Sequence, residues 1–147
     1  MSIIEIQKLR EDTGLGIIEC KKAYEEAAGD IKKAKAILKE RGFEKAAKKS
    51  ERETKSGIIE AYAHSGRIGV LLELLCETDF VAKNKEFRGL AHDLALQIAS
   101  MAPKDEKELL SQPFIKDESI TISELMKSII AKTGENIKIK RFIRYEL

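Results

Sequence analysis

Residues 70–84 read VLLELLCETDFVAKN and decide the fold of this chain. The run 70–76 is almost continuously apolar, which predicts a central strand covered on both faces, with Glu73 as the exception. A long helical pattern begins directly after this run. Residues 77–84 therefore form a predicted strand-to-helix corner that carries an acid, Asp79, beside an aromatic, Phe80.

Two further strands are predicted, one before and one after this segment in the sequence. β-Branched and aromatic residues at 58–64, followed by the Ser65-Gly66 turn, predict a hairpin with the strand at 67–76. Residues 136–147 alternate in polarity, so four apolar side chains are expected to share one face: Ile137, Ile139, Ile143 and Tyr145. This half-buried strand would complete a three-stranded antiparallel sheet.

Two helices are predicted to pack on this sheet. Apolar residues recur every three or four positions from Phe87 onward, and Pro103 ends that pattern. Thr121 and Glu124 have the spacing of a capping box at the start of another helix, which Gly134 ends. Helices packed on an antiparallel sheet make an α+β core.

The N-terminal part has a different texture, with three short helical patterns over residues 3–13, 17–28 and 31–41. Asp30 is expected to cap the third helix and Gly42 to end it. The next residues are highly charged, rich in helix formers and nearly free of an apolar stripe. We therefore predict a three-helix module at 1–42, a charged helical linker at 43–56 and an α+β core at 57–147.

Composition narrows the class of protein. The chain has 147 residues, and its 27 basic and 25 acidic side chains leave a net charge of only +2, which argues against a strong nucleic-acid binder. It has no run of 18 apolar residues, and residues 1–5 do not open a signal or transit peptide, so a cytoplasmic protein without a membrane span is expected. Cys20 and Cys76 are far apart and are expected to be free thiols.

No constellation of residues predicts catalysis. His64 and His92 lack metal-ligand spacing, so both are expected to be structural. Gly14-x-Gly16 follows a helix and lacks a third glycine, which favours a structural role over a nucleotide-binding loop. The basic run 45–52 is interleaved with glutamates and has no stacking aromatic, so a solvated helix face is favoured over a nucleic-acid site. We predict no cofactor, no metal and no direct binding of nucleotide or nucleic acid.

Two interpretations of Phe80 remain open from the residues alone. It lies seven positions before Phe87, in phase with the apolar stripe, which favours a buried side chain behind a Thr78 or Asp79 cap. Alternatively, Phe80 projects from the corner into a partner, with Asp79 steering the contact. Burial of such an aromatic in a partner contributes about 1.5–3 kcal/mol, the scale of an interface hot spot.

Three separated segments carry a resemblance to a known family: 9–23 (LREDTGLGIIECKKA), 77–84 (ETDFVAKN) and 134–146, with its GENI and RFIRYE motifs. They resemble, in the same order, the signatures of the elongation factor Ts family. The resemblance implies a UBA-like fold for residues 1–42 and a dimerisation-type core for the remainder. It also implies that this chain is a guanine-nucleotide exchange factor for elongation factor Tu and is not itself an enzyme.

The resemblance also implies site residues. In the family, an Asp-Phe pair inserts between helices of the Tu nucleotide domain, disturbs the magnesium site and the phosphate loop, and releases GDP. The positions here that match this wedge are Thr78, Asp79, Phe80 and Val81. The positions that match the docking surface of the N-terminal module are Arg10, Ile17, Ile18 and Lys21.

The chain also departs from the family pattern. Many members carry two methionines where Ile17-Ile18 stand here, and longer forms have a second core subdomain and a coiled-coil insertion. A chain with one core subdomain resembles the short bacterial type, so a homodimer through the core sheet is expected. Two alternatives stay open: a protein-binding module without exchange activity and a basic RNA-associated protein.

Overall fold

The structure is a computed structural model that describes residues 3–147. Its helices are α1 (Ile3–Thr13), α2 (Ile17–Glu26), α3 (Ile31–Lys48), α4 (Asp79–Ala82), α5 (Lys85–Met101), α6 (Glu106–Ser111) and α7 (Ile122–Thr133). Its strands are β1 (Ser56–His64), β2 (Ile68–Cys76), β3 (Pro113–Phe114), β4 (Asp117–Thr121) and β5 (Lys138–Glu146). The predicted α+β class, with three helices before a three-stranded sheet, is confirmed.

Helices α1, α2 and α3 enclose a small core of their own. Its fully buried members are Leu9, Cys20, Ala23, Ala34 and Leu38. Gly14 and Gly29 have positive φ where α1 and α2 end, and the Asp30 side chain accepts from Lys33 N at the start of α3, as predicted. The first two helix stops and the third helix start are therefore set locally, by glycine and by a side-chain cap.

The predicted end of the third helix at Gly42 is wrong, because α3 continues to Lys48. Gly42 is buried where α3 crosses α7, and a Cβ there would lie 3.2 Å from Ala131 Cβ. The glycine thus permits close approach of two helices instead of ending one. The non-helical connection to β1 is only residues 49–55. The boundary predicted between the module at 1–42 and the linker at 43–56 falls inside α3.

The large sheet has the order β1-β2-β5 and is antiparallel throughout, so β2 is central as predicted. Ser65 and Gly66 both have positive φ, and Arg67 N donates to His64 O, the pattern of a type I′ hairpin turn. Helix α5 packs on β1 and β2. The prediction that β2 is covered on both faces is wrong, since Leu72 and Leu74 are buried whereas Leu71 between them is exposed.

A β-bulge in β5 overturns the predicted alternation of this strand. Leu74 pairs with Ile139 but Glu73 pairs with Arg141, so Lys140 is the extra residue. An inserted residue moves every later side chain to the opposite face. Ile139 is buried, whereas Ile143 and Tyr145, predicted to lie beside it, are exposed on the other side of the sheet.

The segment between α5 and α7 closes the end of the core. Phe114 is buried as expected, and α6 lies where a short helical possibility was predicted, but the β3-β4 hairpin was not predicted. Gln97 of α5 holds this segment: its amide donates to Gln112 Oε1 and Pro113 O, and its Oε1 accepts from Ile115 N. Among the helices of residues 3–147, none has the length and apolar character needed to cross a membrane.

Candidate partner-binding site

The corner after β2 consists of a single helical turn followed by a second helix start. Thr78 is extended and its hydroxyl accepts from Val81 N, which caps α4. Asn84 is extended again, and its side-chain oxygen accepts from Glu86 N at 2.7 Å, which caps α5. The long helix predicted from the corner onward is therefore interrupted at residues 83–84.

This interruption decides the direction of Phe80. The seven-residue spacing to Phe87 would place both rings on one face only if the helix were continuous. Because Asn84 breaks the helix, the two turns have different phases: Phe87 is 0% exposed and Phe80 is 89% exposed. Of the two interpretations left open by the sequence, the projecting side chain is the one observed.

The residues around Phe80 anchor the corner. Val81 and Ala82 are buried in the main core, so the Val81 side chain faces inward and not toward a partner. Asp79 is exposed, and its Oδ1 accepts from Ser56 Oγ at 2.9 Å, which fixes the carboxylate beside the aromatic. Thr78 is exposed as well. Three of the four predicted wedge residues are thus accessible, and the fourth holds them to the core.

Two residues outside the corner, Glu135 and Asn136, hold it in place, and neither is among the predicted site residues. Glu135 accepts hydrogen bonds from Glu77 N, Thr78 N and Thr78 Oγ1, at 3.0, 3.0 and 2.7 Å. Asn136, 2% exposed, donates to the carbonyls of Ser50 and Arg52. Both belong to the GENI motif at 134–137, which is the feature of the sequence that could have pointed to them.

Burial makes Cys76, the last residue of β2, a poor acid. Its thiol donates to Thr78 O, and burial, reinforced by the Glu135 carboxylate, raises its pKa to about 11. Cys20 is also buried and free, as predicted for both cysteines. The corner therefore rests on an inert thiol. Among the described residues, no group of three or more His, Cys, Asp or Glu side chains is arranged to hold a metal ion.

The second predicted group lies on the N-terminal module. Arg10 is exposed on α1, and Ile17, Ile18 and Lys21 are exposed at the start of α2. Within residues 3–147 no hydrogen bond or ion pair joins this group to residues 78–81, so the structure presents two separate surfaces. Both are carried on one packed framework, because α3 of the module packs on α7 of the core.

Comparison with known proteins gives the family. A sequence profile described as Elongation factor TS matches residues 77–147, from the corner to the last residue. The elongation factor Ts of Rubrobacter xylanophilus is 43% identical, in an alignment covering 99% of this chain and 98% of that protein. This chain belongs to the elongation factor Ts family.

Other relatives agree with this assignment. The elongation factor Ts proteins of Thermotoga maritima and Desulforamulus reducens are 44% and 42% identical, each over 97% of this chain and over 94% and 87% of their own lengths. Family membership, expected from the three motifs, is confirmed and places the chain among translation elongation factors.

The relatives also show what is missing here. The alignment with the Rubrobacter elongation factor Ts runs over 191 positions, whereas this chain has 147 residues. The relative therefore carries residues that lie opposite gaps in this chain. Even so, the module, the corner and the C-terminal strand are all present in this shorter chain.

Proposed function

We propose that this chain is a guanine-nucleotide exchange factor that binds elongation factor Tu in the cytoplasm and promotes release of GDP. The observation that carries the proposal is the exposure of Phe80 on a corner that the buried side chains of Val81 and Ala82 anchor to the core. An exposed phenylalanine side chain contributes little to the stability of the fold, because it buries little surface. A rigidly held aromatic side chain is, in contrast, a common hot spot for binding a partner.

The proposed mechanism is a wedge. Asp79 and Phe80 enter between helices of the Tu nucleotide domain and shift them, which disturbs the magnesium site and the loop that holds the phosphates. GDP and Mg²⁺ are held by oxygen ligands and backbone N–H groups with exacting geometry, so small displacements weaken binding. Because coupling between two ligands is reciprocal, GDP weakens binding of the exchange factor by the same factor.

Pre-organisation of the corner supports this role. An inserted aromatic that was mobile beforehand would lose conformational entropy on binding. Here the backbone on both sides of Phe80 is capped by Thr78 and Asn84, and Val81 is packed in the core. Burial of the ring in Tu then contributes about 1.5–3 kcal/mol, a factor of roughly 10 to 150 in affinity.

The test is release of labelled GDP from elongation factor Tu. We expect this chain to accelerate release strongly and Phe80→Ala to lose most of the acceleration while remaining folded. A chain that binds Tu without accelerating release would instead be a binding module. Binding to RNA that weakens steeply with salt would favour the RNA-associated alternative.

We also propose that the open face of the sheet is covered by a second copy of this chain. After the bulge, β5 places Ile143 and Tyr145 on this face, beside Leu71 of β2 and Ile59 of β1. All four are exposed, Ile59 and Tyr145 to 67% and 71%, and within residues 3–147 no helix covers them. An apolar face of this kind suits an isologous contact with the same face of a second chain.

Sedimentation at micromolar concentration tests the dimer. We expect a dimer for the wild-type chain and a monomer for Leu71→Glu, which puts a charge at the centre of the face. Ile4→Glu is the matched control, because Ile4 is also a large exposed apolar residue but lies on α1. A wild-type monomer, or a dimer disrupted equally by both substitutions, would remove the sheet face as the interface.

A further inference from the structure

The backbone N–H groups at the start of the corner lack strand partners and are held by one side chain. Pairing of β2 with β1 ends at Cys76 and pairing with β5 ends at Leu75. The N–H groups of Glu77 and Thr78 therefore lie beyond both ladders. Each donates at 3.0 Å to the same oxygen, Oε1 of Glu135, in the connection between α7 and β5.

The second oxygen of Glu135 reaches the cap of α4. Thr78 Oγ1 donates to Glu135 Oε2 at 2.7 Å and accepts from Val81 N at 3.4 Å. A hydroxyl has one proton, so donation to Glu135 leaves its lone pairs for the helix. Glu135 thus orients the group that caps the helical turn in which Phe80 lies.

A return contact closes this arrangement into a clasp, which we define as Glu77, Thr78, Glu135 and Asn136. Glu77 Oε2 accepts from Asn136 N at 2.6 Å, while Glu135 accepts from Glu77 and Thr78. Two segments 58 residues apart in sequence therefore hold each other through charge-assisted hydrogen bonds to backbone N–H groups.

The corner needs such support because its own parts are weak. Helix α4 has only four residues, far below the length at which a helix is stable alone. The Phe80 ring is almost fully exposed, so it makes little packing contact that would fix its own direction. The direction of the ring is set by the backbone, which the clasp holds on the N-terminal side together with the Cys76 thiol, a donor to Thr78 O.

We propose that Glu135 is a positioning residue for nucleotide exchange, which acts by holding the corner so that Phe80 is presented to the Tu nucleotide domain in the orientation it needs. This inference rests on the proposed exchange function. It differs from a purely structural role, in which loss of Glu135 lowers stability and affects activity independently of Phe80.

The test is a double-mutant cycle read by GDP release from elongation factor Tu. Glu135→Ala removes the acceptors and is expected to lower the rate constant of release about tenfold. Glu135→Gln keeps an oxygen that can accept from both backbone N–H groups and is expected to restore most of the rate. Glu118→Ala, which removes an exposed carboxylate on β4, is the matched control and is expected to have no effect.

The cycle separates positioning from stability. If Glu135 acts through Phe80, Glu135→Ala in the Phe80→Ala background has little further effect. Amide hydrogen exchange of Glu77 and Thr78 in the free chain should accelerate in Glu135→Ala and stay slow in Glu118→Ala. Thermal unfolding checks that each variant is folded at the assay temperature.

The outcomes are distinguishable. Additive losses from the two substitutions, or a Glu135→Ala chain with the wild-type rate, would overturn the positioning role while leaving the exchange function in place. A wild-type chain that does not accelerate GDP release refutes the exchange function, and the positioning role with it. Unchanged amide exchange at Glu77 and Thr78 in Glu135→Ala would show that the clasp does not hold the corner.

Discussion

Two phenylalanines seven residues apart test the geometry of the corner directly. Phe87 lies in the first turn of α5 and is fully buried against the sheet, whereas Phe80 lies in α4 and is 89% exposed. Alanine substitution removes the same atoms at both sites. Any difference between the two variants therefore reports burial and not side-chain chemistry.

The expected magnitudes follow from that burial. Phe87→Ala leaves a cavity in the core, so it should lower the free energy of unfolding by about 3–5 kcal/mol. For a chain of this size that corresponds to a fall of roughly 6–20 °C in the unfolding midpoint. Phe80→Ala removes almost no buried surface, so its effect should stay within about 0.5 kcal/mol.

Thermal unfolding and denaturant titration of both variants provide the measurement, with circular dichroism to verify helix content. The order should be reversed for GDP release. Phe80→Ala should be stable but slow in promoting release, whereas the Phe87→Ala molecules that remain folded should still be active because they keep Phe80 in place. If Phe80→Ala destabilises the chain as much as Phe87→Ala, then Phe80 is a core residue and the wedge assignment is refuted.

The helix joint, the module surface and the buried thiol allow shorter tests. Gly42→Ala should be nearly neutral in denaturant titrations, because the higher helix propensity of alanine offsets the crowding against Ala131. Gly42→Val should destabilise the chain by about 1–3 kcal/mol, because its further atoms must displace Ala131, and equal effects of the two substitutions would contradict close packing. Ile18→Asp, at an exposed site, should weaken Tu binding about tenfold in titrations and leave the unfolding midpoint unchanged; unaltered affinity would exclude Ile18 from the interface. The Cys76 thiol keeps its proton to higher pH in the folded chain than in the unfolded chain, so it lowers the free energy of unfolding as pH rises from 9.0 towards 11. In denaturant titrations over this range, the free energy of unfolding of Cys76→Ala should decline less steeply with pH than that of the wild type, and equal declines would contradict the raised pKa.

Most of the architecture could be predicted because it is set by local chemistry. The hairpin turn needs two residues with positive φ, and Ser65-Gly66 supplies them. The Thr121 capping box and the Gly134 stop bracket α7 as expected. Such signals act within a few residues, so they can be recognised without knowledge of the fold.

The errors share a different cause. In the sequence, a glycine that ends a helix looks the same as Gly42, which instead makes room for Ala131 of another helix. The alternation of β5 gives the wrong faces because the bulge at Lys140 depends on pairing with β2. In both cases the deciding contact is distant in sequence.

The candidate site divides along the same line. The sequence alone determined which residues form the corner, that Thr78 or Asp79 caps it, and which family the motifs resemble. Only the tertiary structure decided that Phe80 projects, because one extended residue at Asn84 changes the helix phase between Phe80 and Phe87. It also decided that Glu135 holds the corner, since a contact across 58 residues leaves no periodic signal. Element type is encoded by neighbours along the chain, whereas the direction of a side chain depends on backbone phase and on what packs against it.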